Sequence, residues 1–258
     1  MTSEHPVFAR LAAFAPPRPL VVAHRGASRQ QAENTLAAFR AARDLGVVMQ
    51  EFDVQKTRDG VLVCLHDETL DRTTDATRVL GPGAMIAQVT SSELARLDAS
   101  SWHPRGQRGE HIPTLAQALA VMRPHCVPLI EHKAGDAATF VDALDAADAW
   151  GDCIVQSFDW HFVAAVRTMV PRAAVALLGP TPDHGQVEQR TVDAAVAIGA
   201  GMLHWRDREL GSDQVRRIHD AGLLVCTYTS DEEVAWAGGR ALGFDAMCTN
   251  VPELALTW

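Results

Sequence analysis

From Cys126 onward the sequence repeats one pattern: a short apolar run, then a longer stretch whose apolar residues have helical spacing. The runs Cys126–Glu131, Cys153–Phe158, Val175–Leu178, Met202–Trp205, Leu223–Thr229 and Ala246–Val251 read as strands. Helices over Ala137–Ala149, His161–Met169, Val187–Ile198, Ser212–Asp220 and Glu232–Leu242 separate them. Such repetition builds a parallel sheet, because each helix carries the chain back to the edge from which the last strand started.

Two more strands lie upstream, at Leu20–Ala23 and Val47–Val54. Between them Leu36, Phe39, Ala42 and Arg43 have helical spacing, with Asn34 as the expected cap and Gly46 closing the helix. Asp59-Gly60 turns the chain into a further strand that leads to His66-Asp67. That strand is antiparallel to its predecessor, since a parallel partner needs a crossover of a dozen or more residues. With it set aside, eight parallel strands with intervening helices remain, the count of a (β/α)8 TIM barrel. An open doubly wound sheet is the alternative, but no G-x-G-x-x-G follows the first strand. The 258 residues, 47% of them hydrophobic, suffice for a single barrel domain. Residues 68–110 break the pattern and read as a lobe inserted after the hairpin, too small for a core of its own. Pro113–Met122 resumes a helix, and Pro16–Pro19 ends a leader segment.

In a barrel of this kind reactive groups gather at the C-terminal strand ends. Those ends carry His24-Arg25, Glu51 and Asp53, Glu131 and Lys133, Gln156-Ser157-Phe158, Trp205, Tyr228-Thr229 and Thr249-Asn250. Alternation on a strand puts Glu51 and Asp53 on one face. If Asp59-Gly60 are the two central turn residues, Arg58 pairs with Val61 and Asp53 with His66. Glu51, Asp53 and Glu131 are then all-oxygen ligands suited to a hard cation, Mg²⁺ or Ca²⁺. Structural ion pairs with Arg25 and Lys133 explain any one of these acids, but three converging carboxylates repel unless a cation joins them.

His24 and His66 stand out among eleven histidines because each ends a strand beside the acids. They are candidates for general acid and base. His5, His103, His111, His125, His184 and His219 read as surface groups, and His132 alternates away from Glu131 and Lys133. Arg25 offers a planar fork for a phosphate and Lys133 a point charge. The absence of G-x-x-x-x-G-K-[ST] and of G-x-S-x-G disfavours a P-loop NTPase and a serine hydrolase. A net charge of −9 with no Lys/Arg run argues against nucleic acid as partner. Five dispersed cysteines in apolar runs read as buried thiols. No stretch has the apolar length of a membrane helix and no signal-peptide pattern opens the chain, so a cytoplasmic enzyme is expected. The oligomeric state stays open.

The motifs HRG at His24–Gly26, ENT at Glu33–Thr35, EFD at Glu51–Asp53, TRDG at Thr57–Gly60 and HD at His66–Asp67 resemble the glycerophosphodiester phosphodiesterases. IPTL at Ile112–Leu115, EHK at Glu131–Lys133, QSF at Gln156–Phe158 and TNVP at Thr249–Pro252 are similar to later landmarks of that family. The resemblance implies a TIM barrel with a small insertion and a metal-assisted hydrolase that releases glycerol 3-phosphate and an alcohol from small glycerophosphodiesters. It implies His24 and His66 as catalytic, Arg25 on the phosphate, Glu51, Asp53 and Glu131 on the metal, and Lys133 on the phosphoryl oxygens. Trp205 and Tyr228, with Phe158, are then candidates for an apolar wall against the glycerol carbons. The insertion is a candidate cover for the site, with Trp102 as a possible substrate contact. The chain departs from the family pattern at Tyr228-Thr229, at Asn250, where Asp is common, and at His132. A non-catalytic phosphate-binding barrel and a metal-dependent lyase for a 2-keto acid are the rivals. Neither accounts for both histidines beside three acids. A sphingomyelinase-D-like lipid specificity is a further alternative.

Overall fold

The parallel strands close on one another. In the computed structural model, which describes residues 5–13, 19–123 and 125–258, they are β1 (Leu20–His24), β2 (Met49–Lys56), β4 (Val127–His132), β5 (Ile154–Ser157), β6 (Ala174–Gly179), β7 (Met202–Arg206), β8 (Leu224–Tyr228) and β9 (Ala246–Thr249). Pairing runs β1-β9-β8-β7-β6-β5-β4-β2 and returns through β1–β2, which seals an eight-stranded barrel. β3 (Leu62–Cys64) lies outside the ring, antiparallel to β2. The expected end of a leader at Pro16–Arg18 lies outside the described residues.

The helices are α1 (Pro6–Ala13), α2 (Leu36–Asp44), α3 (Ala76–Val79), α4 (Ser91–Leu94), α5 (Leu115–Met122), α6 (Ala137–Ala146), α7 (Trp160–Met169), α8 (Gln189–Ile198), α9 (Ser212–Asp220), α10 (Glu233–Leu242) and α11 (Pro252–Ala255). Alternation along each strand divides the core in two. Outward residues such as Phe52, Ile130, Val155, Leu177 and Leu203 pack beneath the helices. Inward residues such as Val22, Met49, Val127, Ile154 and Met202 fill the lower half of the barrel. Val7, Phe8 and Leu11 of α1 join that inner cluster, so α1 lies across the N-terminal end of the barrel. No strand signal marks this segment, and only the spacing of those three apolar residues betrays a helix.

The hairpin differs from the expected register by one residue. Val54 pairs with Cys64, Gln55 with Val63 and Lys56 with Leu62. Thr57 N donates to the Val61 carbonyl at 2.9 Å, so Arg58-Asp59-Gly60 form a three-residue loop. Gly60 takes the left-handed conformation, φ +83°, that such a loop requires of its last residue. Asp53 therefore lies beside Leu65, whose N–H donates to the Asp53 carbonyl, and His66 stands beyond the strand.

The lobe that follows grows from the hairpin. Val63 and Leu65 share an apolar cluster with Leu70, Ile86, Leu94 and Leu97. Asp59 ties the turn to α4 by accepting from Ser91 N and Oγ at 2.9 and 2.8 Å. His103 was expected at the surface but is buried. Its Nδ1 accepts from Gly106 N at 2.8 Å, which leaves Nε2 to donate to the Ser28 carbonyl at 3.2 Å. The lobe is thereby joined to the loop after β1, at the rim of the barrel. Trp102 is partly exposed there, edge-on to His103.

Candidate active site

β1 brings His24 to the mouth of the barrel, and the chain then turns sharply. Arg25 and Gly26 both have positive φ, 59° and 79°. A Cβ on Gly26 would lie 2.6 Å from the Ala38 backbone of α2, so the HRG turn needs glycine twice over. Thr35, not Asn34, caps α2, its Oγ1 accepting from Ala38 N. Asn34 is freed for another task. It is buried, its Nδ2 donates to Asp53 Oδ2 at 2.8 Å, and its Oδ1 accepts from Asp53 N at 3.3 Å.

Register brings the acids together. In the parallel pairings His24 lies beside Glu51, and Asp53 beside Glu131. One carboxylate oxygen from each of Glu51, Asp53 and Glu131 lies within 4.8 Å of the others. Their residue exposures are 1%, 0% and 7%, so water does little to screen them. Lys133 Nζ sits 2.5 Å from Glu131 Oε1 and 3.2 Å from Asp53 Oδ1. Arg25 Nε sits 3.1 Å from Asp53 Oδ2, while Nη1 donates to Glu33 at 2.7 Å. The ion pairs and the convergence expected from sequence are thus both present.

Two cations do not balance three acids. Burial, and then the charges of Asp53 and Glu131, push the Glu51 carboxyl well above the ordinary range. Burial and Asp53 likewise push Glu131 up to about 7. For Asp53 burial acts upward, but Arg25 and Lys133 outweigh it and hold it at about 2. Glu51 Oε1 is buried and has no hydrogen-bond partner. A buried oxygen without a partner, in an all-oxygen donor set with one surplus negative charge, fits a hard divalent cation.

The two histidines approach the acids from different sides. His24 Nε2 lies 3.8 Å from Glu51 Oε2, and its Nδ1 lies 2.7 Å from Asn250 Oδ1. Burial and the neighbouring Arg25 charge lower its pKa to about 4, so the ring is neutral near pH 7. His66 sits on the loop after β3, half-buried. Its Nδ1 lies 2.6 Å from Asp67 Oδ1, and Arg72 Nε donates to Asp67 Oδ2 at 2.5 Å. That hydrogen bond lowers the Asp67 carboxyl to about 2 despite opposing burial. Arg72 also reaches Glu33, the partner of Arg25.

The position of His66 depends on a residue that the sequence reading passed over. Gln55, buried at the top of β2, directs Nε2 at the carbonyls of Leu65, His66 and Asp67. Alternation gives the signal in hindsight: Gln55 follows Glu51 and Asp53 on the same face.

Tyr228 points inward, edge-on to Phe158 and His204, and its hydroxyl donates to the Gly179 carbonyl at 2.8 Å. Trp205 does not join it. It is fully buried in the outer layer, against Gly179 of β6. The pleat explains this, because Met202 faces the barrel interior and so His204 does as well, while Trp205 faces the helices. His204 is the inward residue, with Nδ1 2.9 Å from Gln156 Oε1. His132 faces outward as expected, stacked on Phe162. All five cysteines are buried and free.

Among the described residues no helix is long and apolar enough to cross a membrane. Residues 24–254 match the model of the "Glycerophosphoryl diester phosphodiesterase family". The chain is 35% identical to a glycerophosphodiester phosphodiesterase of Caldanaerobacter subterraneus, over 91% of this chain and 95% of that one. It is 28% identical to a glycerophosphodiester phosphodiesterase of Bacillus subtilis, over 93% and 86% of the two chains. Among solved structures, a phosphodiesterase of Oleispira antarctica in complex with the product sn-glycerol-3-phosphate superposes with a TM-score of 0.84, at 25% identity, over 96% of this chain and 98% of that one.

Proposed function

The chain belongs to the glycerophosphoryl diester phosphodiesterase family, and we propose that it hydrolyses small glycerophosphodiesters to glycerol 3-phosphate and an alcohol by metal-assisted, two-histidine catalysis. As a member of that family it is a phosphoric diester hydrolase. The observation that carries the mechanism is the convergence of Glu51, Asp53 and Glu131 with His24 at one barrel mouth, with His66 on the loop that Gln55, two residues beyond Asp53 on the same face of β2, holds by its carbonyls. The product held by the Oleispira antarctica relative supports glycerol 3-phosphate as one product here.

Glu51, Asp53 and Glu131 are the residues that would hold Mg²⁺ or Ca²⁺. A divalent cation bound there supplies positive charge to the phosphoryl oxygens and fixes the diester's orientation. Arg25, braced by Glu33 and Asp53, and Lys133 add the remaining positive charge where the transition state gains negative charge. His24 is neutral and accepts the proton of the nucleophile at Nε2. His66, backed by the Asp67 carboxylate, is suited to hold a proton and pass it to the departing alkoxide. The nucleophile is water or the neighbouring glycerol hydroxyl; in the second case a cyclic phosphate forms and water then opens it. Tyr228 and Phe158 supply an apolar wall near the mouth. The buried free thiols suit a reducing, cytoplasmic setting in the turnover of phospholipid-derived diesters.

One assay tests substrate and cation together. Glycerophosphocholine and glycerophosphoethanolamine are incubated with the protein, with and without EDTA, and glycerol 3-phosphate is measured. Release that EDTA abolishes and Mg²⁺ or Ca²⁺ restores is the expected result. Release from neither diester removes the substrate assignment, and release indifferent to EDTA removes the cation.

A further inference from the structure

We propose that Asp231, acting through the amide of Asn250, is a positioning residue that decides which nitrogen of His24 carries its proton. The proposal rests on the two-histidine chemistry above and concerns residues to which that chemistry gives no role.

Asp231 follows β8, and Asn250 follows β9, the neighbour of β1 in the ring. The Asp231 carboxylate accepts on both oxygens. Oδ1 receives Asn250 N at 2.7 Å and Thr249 Oγ1 at 2.9 Å, and Oδ2 receives Asn250 Nδ2 at 2.7 Å. A carboxylate has no proton to give, so the Asn250 side chain must turn its NH₂ toward Asp231. Its Oδ1 is thereby aimed the other way, at His24 Nδ1, 2.7 Å distant. The Ser28 hydroxyl, 3.2 Å away, donates to the same oxygen and favours the same orientation. An amide oxygen can only accept, so Nδ1 of His24 is the protonated nitrogen. Nε2, on the side of Glu51, keeps its lone pair. Without the carboxylate at 231 the Asn250 amide could sit either way round, and with it the imidazole tautomer.

Asp231→Asn reverses this logic at constant shape. The new amide keeps its oxygen toward Asn250 N and Thr249 and presents NH₂ to Asn250 Nδ2, donor against donor. Asn250 relieves the clash by turning over, offers NH₂ to His24 Nδ1, and drives the proton to Nε2. The double variant Asp231→Asn with Asn250→Asp conserves net charge and restores the pattern, because Asp at 250 accepts both from Asn at 231 and from His24.

The test reads the tautomer directly. Side-chain ¹⁵N shifts of labelled histidine, assigned with a His24→Gln variant, are recorded for the three proteins alongside steady-state kinetics and thermal melts. Nδ1–H in the wild type, Nε2–H in Asp231→Asn and Nδ1–H again in the double variant are expected. kcat should fall about 10²-fold in the single variant with KM within about twofold, and largely recover in the double. An Nε2–H tautomer in the wild type, or an unchanged tautomer in Asp231→Asn, overturns the proposal. So does a fall in kcat that the double variant fails to reverse at an unchanged melting midpoint, since Asp231 would then only brace the loop. If His24→Gln itself leaves turnover intact, the two-histidine chemistry fails instead, whatever the ¹⁵N shifts report.

Discussion

Gln55 holds His66 by its backbone: Nε2 donates to the His66 carbonyl at 3.0 Å and lies 3.2 and 2.6 Å from the carbonyls of Leu65 and Asp67. Two N–H bonds thus serve three acceptors on the loop that carries this half-buried catalytic candidate. Gln55→Leu keeps the volume and removes the donors. Loss of about 1–3 kcal/mol in stability is expected from the abandoned carbonyls, with kcat reduced by at least about tenfold as His66 loses its place. Melting curves and kinetics on one preparation measure both, and a normal kcat would mean that the lobe holds the loop without Gln55.

His24→Ala and His66→Ala should each reduce kcat by about 10²–10⁴-fold, the usual worth of a positioned acid or base. Neither side chain is part of the apolar core, so circular dichroism should be unchanged. Turnover near the wild-type level in either variant removes that histidine from the chemistry.

Glu51→Gln replaces the carboxylate bearing the unpartnered oxygen with a neutral amide of the same shape. Calorimetric titration with Mg²⁺ and Ca²⁺ should show weaker binding, and turnover should need more cation. An unchanged response would take Glu51 out of the ligand set.

The acids also make stability depend on pH. The folded-state pKa of Glu131 is raised to about 7, and that of Glu51 is raised well above its ordinary value. A raised carboxyl pKa means that the folded chain holds the proton more tightly than the unfolded chain. This contribution is complete below pH ~4.5 and fades as pH climbs through about 7. His24, held neutral with a pKa of about 4, and His204, at about 3, act the other way over the same interval, so the acid's share is read against Glu131→Gln. In cation-free protein the melting midpoint should fall further from pH 5.5 to pH 8 in the wild type than in the variant, and saturating Mg²⁺ or Ca²⁺ should flatten the difference. Melting curves of both proteins at the two pH values, with and without EDTA, provide the check; the same pH dependence in wild type and variant in EDTA would contradict it.

Much of this architecture is legible in the residues because parallel strands leave two plain marks, apolar runs and the helices between them. The extra strand was separable by connection length alone, as 57–61 is too short for a crossover. Glu51, Asp53, Glu131 and Lys133 were legible because they interrupt apolar runs at their C-terminal ends. Register was not. Whether Arg58-Asp59-Gly60 turns on two residues or three depends on the left-handed Gly60, and that choice moves the partner of Asp53 by one position. Trp205 shows a different limit: a strand end says where a residue sits along the barrel, while the pleat decides which side it serves, and here the pleat selects His204. Asn34 and Thr35 are both good cap residues, so only the fold shows that Thr35 takes the helix and Asn34 takes Asp53. Asn250 was visible as a departure from the family, but Asp231 carries no motif and its partner lies nineteen positions away.

Helix α1 has a consequence for traffic through the molecule. With Val7, Phe8 and Leu11 stoppering the far end of the ring, the barrel is a cul-de-sac rather than a tunnel. The acids are therefore open to solvent at the opposite end alone, where His103 joins the lobe to the loop after β1.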